Sequence, residues 1–206
     1  MLFRSLNHLL IAWFLVTPVS GLANSAADSL IDSMTAKNQA TMDRLQQDEV
    51  QRLCSKSRAE EGGSDALAAA REQAMKRIEY PIDGQYLGDW ASGAKVASNG
   101  RGLQYSDDPE APNGGNCYAC HQLDPREVAY GTLGPSLTGY GARGQSEPVI
   151  KYTWVKLWNT HAYNICSHMP RFGAQGILTE QQLKDVMAYL LDPDSPVNQS
   201  IDVLDE

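Results

Sequence analysis

An all-α fold is what this sequence predicts, and three stretches carry the prediction. LTEQQLKDVMAYLLDPDSP near the C-terminus has Thr179 as N-cap and Gln182 three residues on, the capping-box arrangement. Leu183, Val186, Met187 and Leu190 follow at helical spacing, and Pro193 ends the element after Asp192. Glu147 to Asn159 places Ile150, Trp154, Leu157 and Trp158 on one side of a second helix. Leu87 to Gly102 reads as a third, in which Trp90, Ala94 and Ala97 pack against the last helix and Gly93 permits a close crossing.

From the N-terminus, Arg4 precedes LLIAWFLV, an apolar run of eight that stops at Thr17 and Pro18. With the small residues Gly21 and Ala23 this is the pattern of a secretory signal cleaved after Ala23, and the run is shorter than the ~20 residues a spanning helix needs. An uncleaved anchor is the alternative. The expected organisation is a signal peptide over 1–23, a helical extension over 24–80, a main domain over 81–198 and a tail over 199–206. The extension is polar and free of proline up to Pro81, and Gly62–Ser64 breaks it, with Ser64 capping an alanine-rich helix that runs to about Ile78. Leu30, Ile31, Met34, Met42, Leu45 and Leu53 form only a ragged stripe, so the extension is expected to lie on the main domain or on a partner rather than fold alone.

Seventeen basic and 25 acidic residues give a formal charge of −8; loss of the first 23 residues removes only Arg4 and leaves −9. That balance argues against nucleic acid as a partner and favours partners with basic patches. No catalytic triad, carboxylate pair or phosphate loop is present. The expected setting is the periplasm, with no membrane span after signal cleavage, where disulfides and covalent haem attachment are both permitted.

The chemistry concentrates in GNCYACHQ, with Cys117 and Cys120 one helical turn apart and His121 directly after. A structural zinc site would need two further ligands, nominally from Cys54, Cys166, His121, His161 and His168, but no second close cysteine pair exists and His121, directly after Cys120, is awkwardly placed to share one tetrahedral ion. A thioredoxin-like pair would want a preceding strand, whereas Pro109, Pro112, Gly114 and Gly115 make the approach a loop. The third reading is C-x-x-C-H haem attachment: two thiols add to the vinyl groups of one porphyrin, and the following histidine comes under the iron. GTLGPSLTGYGAR, Gly131 to Arg143, then reads as a loop able to lie close to a flat ring, and the backbone carbonyl near Pro135 is the expected acceptor for the second imidazole nitrogen. NICSHMPRFG offers His168 and Met169 for the opposite face. Met169 is preferred because Pro170 keeps it out of helical backbone, so that its thioether can project from a loop. Cys54 and Cys166 remain. An intramolecular bridge is expected, worth roughly 4 to 5 kcal/mol by the chain-entropy estimate; a mixed disulfide with a partner or free thiols are the alternatives.

GDWASGAKVASNGRG, GNCYACHQ, GTLGPSLTGYGAR and MPRFGAQGILTEQQLKDVMAYLLDPDSPVN together resemble SoxX, the small monohaem subunit family of the thiosulfate-oxidising SoxAX cytochromes, over about Leu87 to Asn198. The resemblance implies a class I cytochrome c-like all-α domain carrying one haem c, with Cys117 and Cys120 as attachment points and His121 and Met169 as axial ligands. It further implies a heterodimer with a SoxA-type cytochrome subunit that contributes the catalytic cysteine, joining thiosulfate to a cysteine of the SoxYZ carrier complex, and delivery of the electrons to a small cytochrome c. The chain departs from the family pattern at Arg171, in an insertion around Gln104 to Asn113, and in the extension with Cys54. A free-standing electron shuttle and a ligand-sensing haem protein are the rival readings.

Overall fold

The computed structural model describes residues 28–57 and 64–200; the expected signal peptide and the end of the tail lie outside them. Two compact units divide at Thr35 and Ala36. In the first, the described residues 28–35 carry a short helical segment over 28–32, closed by Ser33 Oγ donating to the Leu30 carbonyl at 2.6 Å. The second contains α1 (Glu49–Ser57), α2 (Ser64–Lys76), α3 (Trp90–Ser98), α4 (Glu147–Trp158) and α5 (Glu180–Leu191). Short 3₁₀ turns at Met42–Leu45, Cys117–Ala119, Tyr140–Arg143, Thr160–Ala162 and Pro196–Asn198 join them. Among the described residues the only β-pairing is an isolated bridge between Lys37 and Ala40, and no helix is long and apolar enough to cross a membrane.

The reciprocal cap of α5 forms as its sequence requires: Thr179 Oγ1 accepts from Gln182 N–H at 3.2 Å and Gln182 Oε1 accepts from Thr179 N–H at 3.0 Å. The helix is buried from Leu183 to Leu191, all round rather than on the one apolar face that its spacing predicts. Its polar members are paired instead of solvated. Lys184 Nζ meets Asp83 at 3.0 Å and Glu180 at 2.9 Å, and hydrogen bonds to Glu180 and Asp83 raise its pKa. Asp185 Oδ1 accepts from the Asp89 N–H at 3.0 Å and from Gln181 Nε2 at 2.8 Å.

α3 is shorter than its sequence suggests. Asp89 caps it by accepting from Ser92 N–H at 2.6 Å, so the helix starts at Trp90, and Asn99 is already extended. It crosses α5 at Gly93, where a Cβ would stand 2.0 Å from the Asp185 carbonyl oxygen. The two helices and Trp154, Leu157 and Phe172 build one core. The Trp154 indole N–H donates to the Glu79 carbonyl at 2.8 Å, which anchors the chain between α2 and α3.

The extension from Ala36 belongs to the same compact unit as the rest of the domain. It is held by polar side chains on backbone carbonyls: Asn38 on Tyr105 (2.7 Å), Gln39 on Gln104 and Asp107 (2.8 and 3.0 Å), and Arg44 on Leu103. The extension and the Gln104–Asn113 segment therefore pack on each other.

Candidate functional site

The cysteine turn is placed by α3. Gly115 N–H donates to the Val96 carbonyl at 2.8 Å, Asn116 takes the left-handed conformation (φ 46°), and Cys117–Ala119 wind a 3₁₀ turn closed by Cys120 and His121 N–H on the Cys117 carbonyl. Both cysteines are free thiols; burial pushes the Cys117 pKa up to about 12.

The loop after His121 is held on this turn by Gly131 N–H on the Tyr118 carbonyl, Gly134 N–H on Cys120 and Leu137 N–H on Gln122, each at 2.8 Å. That register sets His121 Nδ1 at 2.7 Å from the Pro135 carbonyl. A carbonyl only accepts, so Nδ1 carries the proton, which leaves Nε2 as the nitrogen that a neutral ring would offer to a metal. Gly134 lies against the ring, where a Cβ would stand 2.1 Å from Cε1.

Of the neighbours His168 and Met169, the histidine is exposed and the methionine is half-buried against the core. Met169 N–H donates to Ser167 Oγ at 3.2 Å, and His161, buried beneath, meets the Ser167 carbonyl with Nε2 at 3.1 Å. Burial lowers the His161 pKa, against the pull of the Ser167 carbonyl, which raises it. Gly173 lets the same loop pass Trp158, where a Cβ would stand 2.3 Å from the indole. Trp158 stacks on Trp154 with centroids 5.8 Å apart, and among the described side chains its indole N–H is the one buried polar atom without a partner.

These features fit a haem. The proton on His121 Nδ1 leaves Nε2 for a metal, Gly134 lies against the imidazole, two unpaired thiols sit on one turn, Met169 is half-buried against the core, and the Trp158 indole N–H is buried without a partner. The alternatives fit less well. Cys54 and Cys166 form a disulfide with Cα atoms 5.5 Å apart, which removes them from any zinc site, and among the described residues no three His, Cys, Asp or Glu side chains converge to hold a metal.

Sequence reasoning missed Trp158 as an orphan donor, because stacking and burial explain a tryptophan equally well. It also missed the ion pair of Arg171 with Asp48, Nη2 to Oδ2 at 2.5 Å, which spans 123 positions. A third omission is Tyr189, whose hydroxyl lies 2.8 Å from that of Tyr118; burial pushes its pKa well up, and the pair braces the cysteine turn against α5.

A cytochrome c family model matches residues 83–192, more than half of the chain. A protein of Aquifex aeolicus (strain VF5), described as an uncharacterized lipoprotein, is 39% identical over 156 residues, covering 74% of this chain and 73% of its own length.

Proposed function

The chain belongs to the cytochrome c family, and from that premise we propose that it is the electron-accepting subunit of a SoxAX-type S-thiosulfotransferase. It carries one haem c, bound through Cys117 and Cys120, with His121 and Met169 as axial ligands. Bound haem supplies reversible one-electron chemistry. The chain's own residues set its conditions: the Pro135 carbonyl orients His121 and raises its basicity, Met169 presents a thioether from the opposite loop, and Trp154, Trp158 and Phe172 keep the neighbourhood dry.

The observation that carries the electron-transfer reading is the His121 ring, tethered through Nδ1 to Pro135 with Nε2 left as donor. The narrower assignment rests on the likeness to SoxX, supported by the DPDSPVN tail. Ser195 Oγ donates to the Tyr189 carbonyl at 2.6 Å, and the Asn198 amide bonds the Leu190 and Asp192 carbonyls while accepting from Gly141 N–H at 2.7 Å. The tail thus locks the end of α5 onto the loop that follows His121. Cysteine accounting supports a catalytic cysteine in the partner, since the chain's four cysteines are two bridged and two on the haem turn. The partners are a SoxA-type subunit, the SoxYZ carrier and a small cytochrome c. The location is periplasmic, for which the apolar leader and the Aquifex relative's name speak.

Purification of the native complex tests this, with haem counted per subunit. Recovery with a second haem-bearing subunit, and thiosulfate-dependent reduction of this chain's haem, is expected; a lone monomer that never co-elutes makes it a free-standing electron shuttle.

A further inference from the structure

The loop that carries Met169 packs on the core through Met169 and Phe172, and it also borders a cavity of about 500 Å³ that Met169 itself helps to line. Gln47, Gln51 and Ser55, from α1 and its approach, line it together with His168, Pro170 and Arg171 of the loop. A segment backed by a void lacks the close contacts that stiffen a protein interior. Cross-links take their place. The Cys54–Cys166 disulfide ties α1 to the loop three residues before Met169, and Asp48 pairs with Arg171 two residues after it.

Asp48 is itself fixed. Its Oδ1 accepts from Gln51 N–H at 2.8 Å, Gln51 Oε1 accepts from Asp48 N–H at 2.8 Å, and Oδ2 reaches Arg171. One carboxylate thus closes the start of α1 and grips the loop. Both tethering residues lie outside the stretch that the cytochrome c model matches, so they are an addition to that domain.

We propose that α1 is a brace on the ligand loop, in which Asp48 and Cys54 act as positioning residues that hold Met169 on the iron. The proposal rests on Met169 being an axial ligand. Release of the brace lets the loop move into the cavity and raises the population in which the sixth position is open, so external ligands enter faster.

The test uses the exported full-length holoprotein in its ferric form, with the rate of cyanide binding and the near-red band of methionine-ligated haem as readouts. Asp48→Asn keeps the helix cap, since Asn caps as well as Asp, and removes only the charge opposite Arg171. Asp48→Asn and Cys54→Ser are each expected to bind cyanide about tenfold faster, the factor that about 1.4 kcal/mol corresponds to, with a weaker band. Arg44→Ala, which cuts a different tether of the same extension to Leu103, leaves the rate unchanged. Wild-type rates in Asp48→Asn and Cys54→Ser overturn the brace, as does an equal acceleration in Arg44→Ala, because the effect is then one of general loosening. If Cys54→Ser does not mature, Asp48→Asn decides alone. A wild-type protein without the band, or a Met169→Ala protein that keeps it, overturns the ligand assignment itself, an outcome separate from failure of the brace.

Discussion

Adding one methyl group at Gly134 tests the geometry of the proximal side directly. Gly134 has no positive φ, so alanine brings no backbone strain and only the contact changes. The new Cβ would stand 2.1 Å from His121 Cε1 and 2.5 Å from Nδ1; reaching the 3.4 Å of ordinary contact asks for a shift of about 1.3 Å. The loop cannot easily give way, because Gly134 N–H is bound to the Cys120 carbonyl at 2.8 Å. The ring must therefore retreat, and the 2.7 Å bond from Nδ1 to Pro135 is strained or lost. An overpacked methyl costs about 1 to 3 kcal/mol and a lost hydrogen bond about 1 kcal/mol, so Gly134→Ala is expected to lose about 2 to 4 kcal/mol of holoprotein stability. An imidazole without its acceptor is less basic and stabilises ferric iron less, so the reduction potential moves upward. Denaturant unfolding and redox titration of the exported holoprotein measure both. A variant within about 0.5 kcal/mol of wild type with an unmoved potential refutes the placement of His121 between Gly134 and Pro135.

Gly93→Ala places a Cβ 2.0 Å from the Asp185 carbonyl in the crossing of α3 and α5; a loss of at least about 3 kcal/mol is expected, seen as a fall in Tm of about 6 to 12 °C. Trp158→Phe keeps the stack on Trp154 and removes the orphan N–H. The holoprotein is expected to lose about 1 to 3 kcal/mol in denaturant titration, the cost of an acceptor left without its donor, whereas an unchanged midpoint means that nothing in the haem site pairs with it. For Asp48, burial pushes the carboxyl pKa up, but hydrogen bonds from Gln51 N–H and Arg171 and the nearby positive charge of Arg171 outweigh it, with His161 acting the same way, and the net pKa is lowered. A lowered carboxyl contributes stability that is complete above its unfolded value of about 4 and disappears as pH falls through the lower folded value. The unfolding free-energy difference between wild type and Asp48→Asn is therefore expected to be constant above about pH 4 and to shrink below it.

Apart from the Cys54–Cys166 bridge and the close crossing at Gly93, what the sequence made legible was local. The cap of α5, the turn of Cys117 and Cys120, and the glycine loop to Pro135 each depend on neighbours within about a dozen positions. The full burial of α5 did not show, because Lys184 and Asp185 look like a solvated face until Asp83 and Asp89, about a hundred residues earlier, come to meet them. The docking of the extension left no hydrophobic period for a related reason: Asn38, Gln39 and Arg44 hold it through amide and guanidinium groups on carbonyls, and polar anchors carry no stripe. A periodic pattern reports apolar burial; it is silent about hydrogen bonds to a distant loop.

The bridge between Cys54 and Cys166 encloses both Cys117 and Cys120, and this has a consequence for biogenesis. Four cysteines permit three complete pairings, and a polypeptide emerging N-terminus first exposes Cys117 to Cys54 long before Cys166 arrives. Oxidation in order of appearance would therefore trap a wrong partner and spoil the thioether positions at once. Maturation has to sort the thiols, keeping the inner two reduced for the porphyrin while the outer two find each other, so the timing of haem delivery against disulfide formation decides how much of the newly made chain becomes coloured.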